Sequence, residues 1–350
     1  LVMLALENGK HVVTANKALI AEHGMKIFAL AESRGLMVCY EAAVAGGIPI
    51  IKALREGLSA NRVNWLAGII NGTTNFILSE MDTKGREFAD VLSEAQARGY
   101  AEADPTFDVE GIDASHKLAI LASIAFSMPL SLEGLFTDGI TQLEPQDVAY
   151  ARELGYVVKH LGIARQSASG IELRVHPTLI PKRSLIAGVS DVSNAIMVNA
   201  DAVGTTLFYG PGAGAEPTAS AVIADIVDVA RVMDSYPDSW VPPLGCHSSV
   251  LQERALMAIE DVETGFYIRF SALDKPGVLS DVTKIMGDAG ISIEAIIQRE
   301  QPAGERYVNV IILTNVTKQK CLNEAVMHIE NLETVRGQVS FIRVEYLDQV

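Results

Sequence analysis

The 350 residues are 49% hydrophobic and 20% charged, with a formal net charge of −15. A chain of this length and composition forms two or three domains with sizeable cores, and the acidic balance excludes a nucleic-acid or anionic-membrane surface built on clustered Lys and Arg. Three distant cysteines without a CxxC, histidines without HxxxH spacing, and no apolar run of the roughly 18 residues that span a bilayer point to reduced thiols, no zinc centre and a cytoplasmic protein.

The opening LVMLALENGKHVV has no initiating Met and no basic region, so it is not a signal peptide. It reads as the end of a helix with Gly9 as C-cap, then a strand, which is the interior of a fold; the expectation is a fragment. HVVTAN (11–16) and LMVCYEAAV (36–44) read as buried strands. KALIAEHGMKIFALAESRG (17–35) reads as a helix ending at Gly35, and GIPIIKALREGLS (47–59) as a helix with Pro49 near its start. This βαβα rhythm predicts a parallel sheet covered by helices.

VNWLAGIING (63–72) reads as a further strand, and TTNFILSEM (73–81) opens a helix with Thr as N-cap. Helices are expected at 87–98 and 110–127, then mostly antiparallel sheet over 156–210. A glycine turn running into a long amphipathic helix follows (209–233), and a linker at 236–264. The remaining residues read as strand, helix, two strands, helix, strand. Pro276 lies near the first turn of the first of these helices and Gly290 is its stop. This is the ferredoxin-like order.

Several residues are candidates for chemistry. Lys17 emerges at the carboxyl end of a strand, where ligands sit in open α/β sheets; it meets a cofactor or anionic substrate there, or is an ordinary surface lysine at a helix start. In GIINGTTNF (68–76) the free N–H groups of Gly72 and Thr73 suit a carboxylate, although strand–turn–helix junctions of this kind are common. The stretch 97–121 crowds Glu102, Asp104, Asp108, Glu110 and Asp113 before Lys117. Asp113 and Lys117 are four apart, so on a helix they share a face. Lys117 runs into LAILASIAF, so its helix is buried almost all round, and a buried ammonium needs a partner. That makes Lys117 a candidate proton donor. Glu102 suits an ammonium group, while Asp104 and Asp108 flank Pro105 as loop residues. GPGAG (210–214) lacks the Lys-Ser/Thr of a phosphate loop and reads as a tight turn allowing close backbone approach.

Taken together, GKHVVTANKALIA, YEAAVAGGIPII, GIINGTTNFIL, RGYAEADPTFDVEGIDASHKLAILA and GPGAGAEPTASAV resemble the homoserine dehydrogenase family. LDKPGVLSDVTKIMGDAGISI resembles the first half of an ACT domain. The resemblance implies an α/β protein with a partial Rossmann nucleotide-binding domain (1–45, completed by the helix 214–234) and an α+β catalytic and dimerisation domain (46–213). A linker (235–264) and a C-terminal ferredoxin-like ACT domain (265–350) follow. It implies reversible, NADP- or NAD-dependent reduction of L-aspartate 4-semialdehyde to L-homoserine, in the biosynthesis of threonine and methionine. It places the catalytic pair at Lys117, the proton donor, and Asp113, which orients its ammonium, with Gly72, Thr73, Tyr100, Glu102 and Asp113 itself on substrate. Lys17, Gly99 and Gly214 fall against the cofactor, and a sodium ion is held largely by main-chain oxygens of Glu41, Val44, Gly46 and Ile48.

An amino-acid effector, threonine by the family expectation, and a homo-oligomer, dimer or tetramer, are also implied, with no nucleic-acid or membrane partner. The family's opening strand, GxGxxG turn and helix have no counterpart here, so the chain taken literally is expected to bind cofactor poorly and to be inactive itself. The rival expectation is a non-catalytic fragment that only senses an amino acid; a second is another amino-acid-pathway dehydrogenase with an ACT tail.

Overall fold

Short apolar runs and early caps govern the first elements. The structure, a computed structural model, describes residues 1–236, 240–298 and 306–347. After α1 (Val2–Glu7), β1 (Val12–Val13), α2 (Lys17–Ser33) and β2 (Val38–Cys39) form a βαβ unit, with Val12 beside Val38 and Val13 beside Cys39 in parallel. The parallel pairing agrees with the sequence rhythm, but the expected strands 11–16 and 36–44 shrink to two residues each. Asn16 already caps α2, its Oδ1 accepting from Leu19 N at 3.0 Å, and Glu41–Ala43 coils into a 3₁₀ turn. The helix expected over 47–59 is one turn, α3 (Ile50–Lys52), followed by a wider turn at Ala53–Gly57.

β3 (Val63–Ile69) leads into α4 (Gly72–Lys84), α5 (Phe88–Ala97), α6 (Thr106–Val109) and α7 (Ile112–Phe126). The cap of α4 is Asn71 rather than a threonine: its Oδ1 accepts from Thr74 N at 2.8 Å. The carboxamide stands two residues before Thr73 and starts the helix that much earlier, meeting the orphan N–H of the third helical residue. β4 (Phe136–Thr137), α8 (Pro145–Glu153), β5 (Tyr156–Ser167), β6 (Gly170–Pro181), β7 (Ser193–Ala200) and β8 (Gly204–Pro211) follow, then α9 (Ala215–Val232).

The chain divides into two compact units. The first comprises Leu1–Pro145, Lys159–His176 and Leu185–Met257. Its sheet runs β6-β5-β3-β7-β8, with β3 antiparallel to both neighbours and β7 antiparallel to β8. The expectation of antiparallel sheet over 156–210 therefore holds. α7 is buried from Leu118 to Phe126 apart from Ala125, which packs on the core half-buried, and shares that core with Ile20, Ile27 and Phe28 of α2. The stretch read as a linker is docked on this unit over much of 240–257: Leu244 is buried, Tyr40 Oη donates to Pro243 O at 2.6 Å, and Ser248 N donates to Glu32 Oε1 at 3.1 Å. Residues 237–239 of that stretch lie outside the described residues.

The second unit comprises Gln146–Val158, Pro177–Ser184 and Ala258–Val350. β9 (Glu263–Leu273), α10 (Val278–Asp288), β10 (Ile293–Gln298), β11 (Tyr307–Thr314), β12 (Thr317–Lys318), α11 (Gln319–Glu330) and β13 (Val335–Val344) give the ferredoxin-like order with one two-residue strand added. The sheet runs β10-β11-β9-β13. Val282 and Met286 of α10 and Leu322, Ala325 and Ile329 of α11 share one core with Phe266, Ile268 and Phe270 of β9. Pro276 precedes α10 rather than sitting in it, because Gly277, at φ +98°, is the cap. The loop of the expected β10–β11 hairpin (299–305) and residues 348–350 lie outside the described residues. α8 and residues 177–184 cluster with this unit: Asp147, fully buried, accepts from Arg269 Nε at 2.5 Å, Arg269 Nη2 at 3.0 Å and Tyr267 Oη at 2.9 Å.

Candidate active site

Three helices begin in the first unit with polar first turns, and the side chains at those starts meet. α7 starts after Gly111, whose φ of +83° sets the left-handed entry; a Cβ there would also lie 3.1 Å from both His160 and Thr137. Its first turn brings in Asp113 and the next brings Lys117 onto the same face. Lys117 Nζ lies 2.6 Å from Asp113 Oδ2 and donates to Ile70 O, at the end of β3, at 2.7 Å. An ammonium has three donors, so two held by protein oxygens leave one for a bound oxygen.

Lys17, the first residue of α2, lies 3.1 Å from Asp113 Oδ1 and 5.6 Å from the Phe107 ring centre. Asn71, before α4, donates from Nδ2 to Asp113 Oδ2 at 2.8 Å and to Asp108 Oδ1 at 2.7 Å. Burial presses the Asp113 carboxyl upward, but the charges of Lys117 and Lys17, with hydrogen bonds from Lys117 and Asn71, outweigh it and hold the group below its ordinary value. Asp108 moves the other way: burial and the Asp113 charge raise it against the Asn71 hydrogen bond. The result is an ionised carboxylate under two cations beside a second carboxyl that protonates more easily.

The structure thus brings Lys17, Asp113 and Lys117 together and adds Asn71 and Asp108. Asp108 had read as a loop residue; it is half-buried and tied to the cluster through Asn71. Asn71 went unnoticed, although a carboxamide directly before a helix is a cap signal that finds it. Asp104 does behave as a loop residue, its Oδ1 accepting from Thr106 N at 3.1 Å.

Gly72 and Thr73 stand in the first turn of α4, where backbone donors have no intrahelical acceptor. Thr73 Oγ1 donates to Tyr100 O at 2.6 Å, and Tyr100 packs edge-on against Phe76 at 5.2 Å, which fixes the loop after α5 beside the α4 start. Gly99, at φ +73°, makes the preceding turn. Glu102 is exposed, and its carboxylate has no hydrogen bond or ion pair among the described residues. Gly214 is the cap of α9, at φ +112°.

The turn 41–48 is built around two buried acids. Glu41 accepts from Ile51 N and Lys52 N, both at 2.9 Å, while its own N–H donates to Asp225 Oδ2 on α9 at 2.8 Å. Burial, opposed by these backbone bonds and reinforced by Asp225, raises Glu41 to about 7. Ala45 and Gly46, at φ +55° and +48°, reverse the chain. Among the described residues the carbonyls of Val44 and Gly46 accept no hydrogen bond, and that of Glu41 accepts only a long one, 3.4 Å from Val44 N. The Ile48 carbonyl accepts from Ile50 N at 2.8 Å. Carbonyl oxygens with spare lone pairs can replace the hydration shell of a monovalent cation, and those of Val44 and Gly46 fit that role. No cluster of His, Cys, Asp and Glu able to hold a metal, and no helix long and apolar enough to cross a membrane, occurs among the described residues.

Comparison with known proteins agrees with the motif resemblance. The family model "Homoserine dehydrogenase" matches residues 49–227, "Homoserine dehydrogenase, NAD binding domain" matches 1–41, and "ACT domain" matches 266–326. The homoserine dehydrogenase of Pseudomonas aeruginosa is 60% identical over 99% of this chain and 80% of its own length. That of Neisseria gonorrhoeae is 51% identical over 99% of this chain and 79% of its own length. The crystal structure of a homoserine dehydrogenase from Thiobacillus denitrificans superposes with a TM-score of 0.94 at 58% identity, covering 98% of this chain and 78% of that one. A hyperthermophilic archaeal homoserine dehydrogenase solved in complex with NADPH gives 0.58 at 29% identity, over 66% of this chain and 67% of its own. The chain belongs to the homoserine dehydrogenase family, the NAD(P)-dependent oxidoreductases that interconvert L-aspartate 4-semialdehyde and L-homoserine, and it carries an ACT domain.

Proposed function

We propose that Lys117 is the proton donor of this dehydrogenase. The nicotinamide cofactor supplies the hydride when bound. As the aldehyde carbon accepts that hydride, the C=O electron pair moves onto oxygen, and Lys117 gives that oxygen a proton, becoming a neutral amine. In the reverse direction the neutral amine takes the alcohol proton. The observation that carries this reading is the hold on Lys117 Nζ by Asp113 Oδ2 at 2.6 Å and Ile70 O at 2.7 Å, which aims a cation and leaves one donor over. Lys17 adds positive potential on the other side of Asp113. Following cofactor absorbance with homoserine plus NAD or NADP, in the wild type and in Lys117→Ala, tests it: turnover that survives the substitution unchanged refutes the role.

Gly72 and Thr73 offer backbone donors to the substrate carboxylate, and Tyr100 and Glu102 close the same side, Glu102 taking the ammonium group. Glu102 is exposed, so that contact forms only with substrate in place. Lys17, Gly99 and Gly214 are assigned to the cofactor side, and Glu41, Val44, Gly46 and Ile48 to a sodium ion. The carbonyls of Val44 and Gly46, which accept no hydrogen bond among the described residues, support the last assignment. The family matches at 1–41, 49–227 and 266–326 support the division into 1–45, 46–213, the segment 235–264 and 265–350.

In the ACT domain, 274–277 with Gly290 and Ile291 is assigned to an amino-acid effector, threonine. A cavity of about 140 Å³ lined by residues of 272–279 with Gln298 supports this. Isothermal titration with threonine tests it, and the absence of binding by any amino acid removes it. The exposed Val203, Leu207 and Tyr209 on and beside edge strand β8 support a homo-oligomer, dimer or tetramer, for which the test is light scattering. A non-catalytic sensor has no use for a buried aspartate held between two half-buried lysines, and that reading is not favoured.

A further inference from the structure

The tightest glycine of the first unit lies outside the Lys117 cluster. A Cβ on Gly212, in the turn 210–214, would fall 2.1 Å from both Cγ and Nδ2 of Asn194 and 2.5 Å from its Oδ1. The flat carboxamide of Asn194 therefore lies directly on the Gly212 backbone, where only hydrogen fits. Asn194 is 1% exposed, and its Oδ1 has no hydrogen-bond partner among the described residues. An unsatisfied buried amide oxygen is costly, and among the described residues no hydrogen bond of this side chain offsets it. What the residue supplies here is its flat shape against glycine.

The same turn is gripped from the opposite side. A Cβ on Gly46 would lie 2.6 Å from Gly212 O, one on Gly47 2.9 Å from Pro217 Cβ, and Gly47 N donates to Pro211 O at 3.1 Å. The turn 210–214 is thus held between residues 46–47 and Asn194. The residues before Asn194 in turn hold the start of α4. A Cβ on Gly72 would meet Val192 O at 2.7 Å, and Asn75 Nδ2 donates to Ser193 O at 3.1 Å. One short segment, 192–194, touches both the helix start assigned to substrate and the turn assigned to cofactor.

We propose that Asn194 is a positioning residue that sets where the 210–214 turn, and through Gly214 the nicotinamide cofactor, stands relative to the start of α4. The inference rests on the cofactor-side assignment of Gly214 but is independent of the role of Lys117. Close packing makes a displacement of a few tenths of an ångström matter for hydride transfer, because reacting atoms must sit in near-attack geometry.

The test joins three variants, Asn194→Ala, Gly212→Ala and both together, with two readouts. Backbone hydrogen exchange without cofactor is expected to quicken at 212–214 in Asn194→Ala and to stay unchanged at 72–75. The cofactor KM is expected to rise roughly tenfold in Asn194→Ala, while the homoserine KM moves less than about twofold. Gly212→Ala alone is expected to be worse than Asn194→Ala. In the double variant the new methyl enters the space the carboxamide vacated, so the loss is expected to be smaller than in Gly212→Ala. Unchanged exchange at 212–214, or losses that simply multiply in the double variant, overturn the proposal. Asn194→Ser replaces Asn194→Ala if the latter does not fold. Inactivity of every form, wild type included, with the expected exchange pattern intact would count against the assigned reaction and not against the placement of the turn.

Discussion

Asp113 bonds Lys117 with one carboxylate oxygen, at 2.6 Å, and Lys17 with the other, at 3.1 Å. Lys17 opens α2 and Lys117 stands in the second turn of α7, so the carboxylate fixes the distance between them. In Lys117→Ala the proton donor is gone while Asp113 still has Lys17 and Asn71. The expected outcome is a fall in kcat of about 10²–10⁴-fold with the far-UV spectrum unchanged. Steady-state kinetics beside circular dichroism checks it.

Asn71 serves two structures with one side chain, its Oδ1 capping α4 and its Nδ2 bridging Asp108 and Asp113. Asn71→Ala removes the cap and sets two carboxylates facing without a donor. The expected cost is about 1–2 kcal/mol of stability, and Asp108 should hold its proton to higher pH. Chemical denaturation gives the first quantity, and a shift in the acid limb of the pH–rate profile gives the second. An unchanged profile would show that the bridge is structural only.

Why Asn71 escaped the sequence reading, when Asp113 and Lys117 did not, is a matter of range. The i,i+4 pair is a local relationship, and helical periodicity places both residues on one face without knowledge of the rest of the chain. The βαβ rhythm and the ferredoxin-like order are equally local, each a succession of elements. The Asn71–Asp113 bond spans 42 residues and depends on how β3 and α7 are packed. The lengths of β1 and β2 failed for the opposite reason: a strong cap at Asn16 and a turn at Glu41 end the pairing before the apolar pattern does. The allegiance of α8 to the second unit depends on a fully buried aspartate whose partners lie more than a hundred residues on.

Lys159 supplies the pH dependence. It is 4% exposed, donates to Val189 O at 2.5 Å and Asn75 Oδ1 at 3.3 Å, and burial lowers it to about 8 from 10.5, against the raising effects of Asp82 and Asp191. Between those values the unfolded chain binds the proton more tightly than the folded one, so stability rises with pH across that window and is lost again as pH falls through about 8. The contribution is up to about 3 kcal/mol. Comparing the wild type with Lys159→Met from pH 7 to pH 10.5, the stability difference is expected to move in the wild type's favour as pH rises. A difference independent of pH would mean that Lys159 titrates normally.

In the second unit, Asp147 is fully buried and takes three donors, two from Arg269 and one from Tyr267. Removing Asp147 takes the buried Arg269 guanidinium's two carboxylate bonds away. Asp147→Ala is expected to cost about 3–5 kcal/mol, concentrated in the second unit, because Arg269 and Tyr267 both belong to β9. Replacing both partners together, Asp147→Leu with Arg269→Met, removes both buried charges and is expected to recover part of that loss. Hydrogen exchange of the β9 amides separates the two outcomes: fast exchange in the single variant with protection returning in the double one identifies desolvated charge as the cause. Equal loss in both would instead assign the stability to the hydrogen bonds themselves.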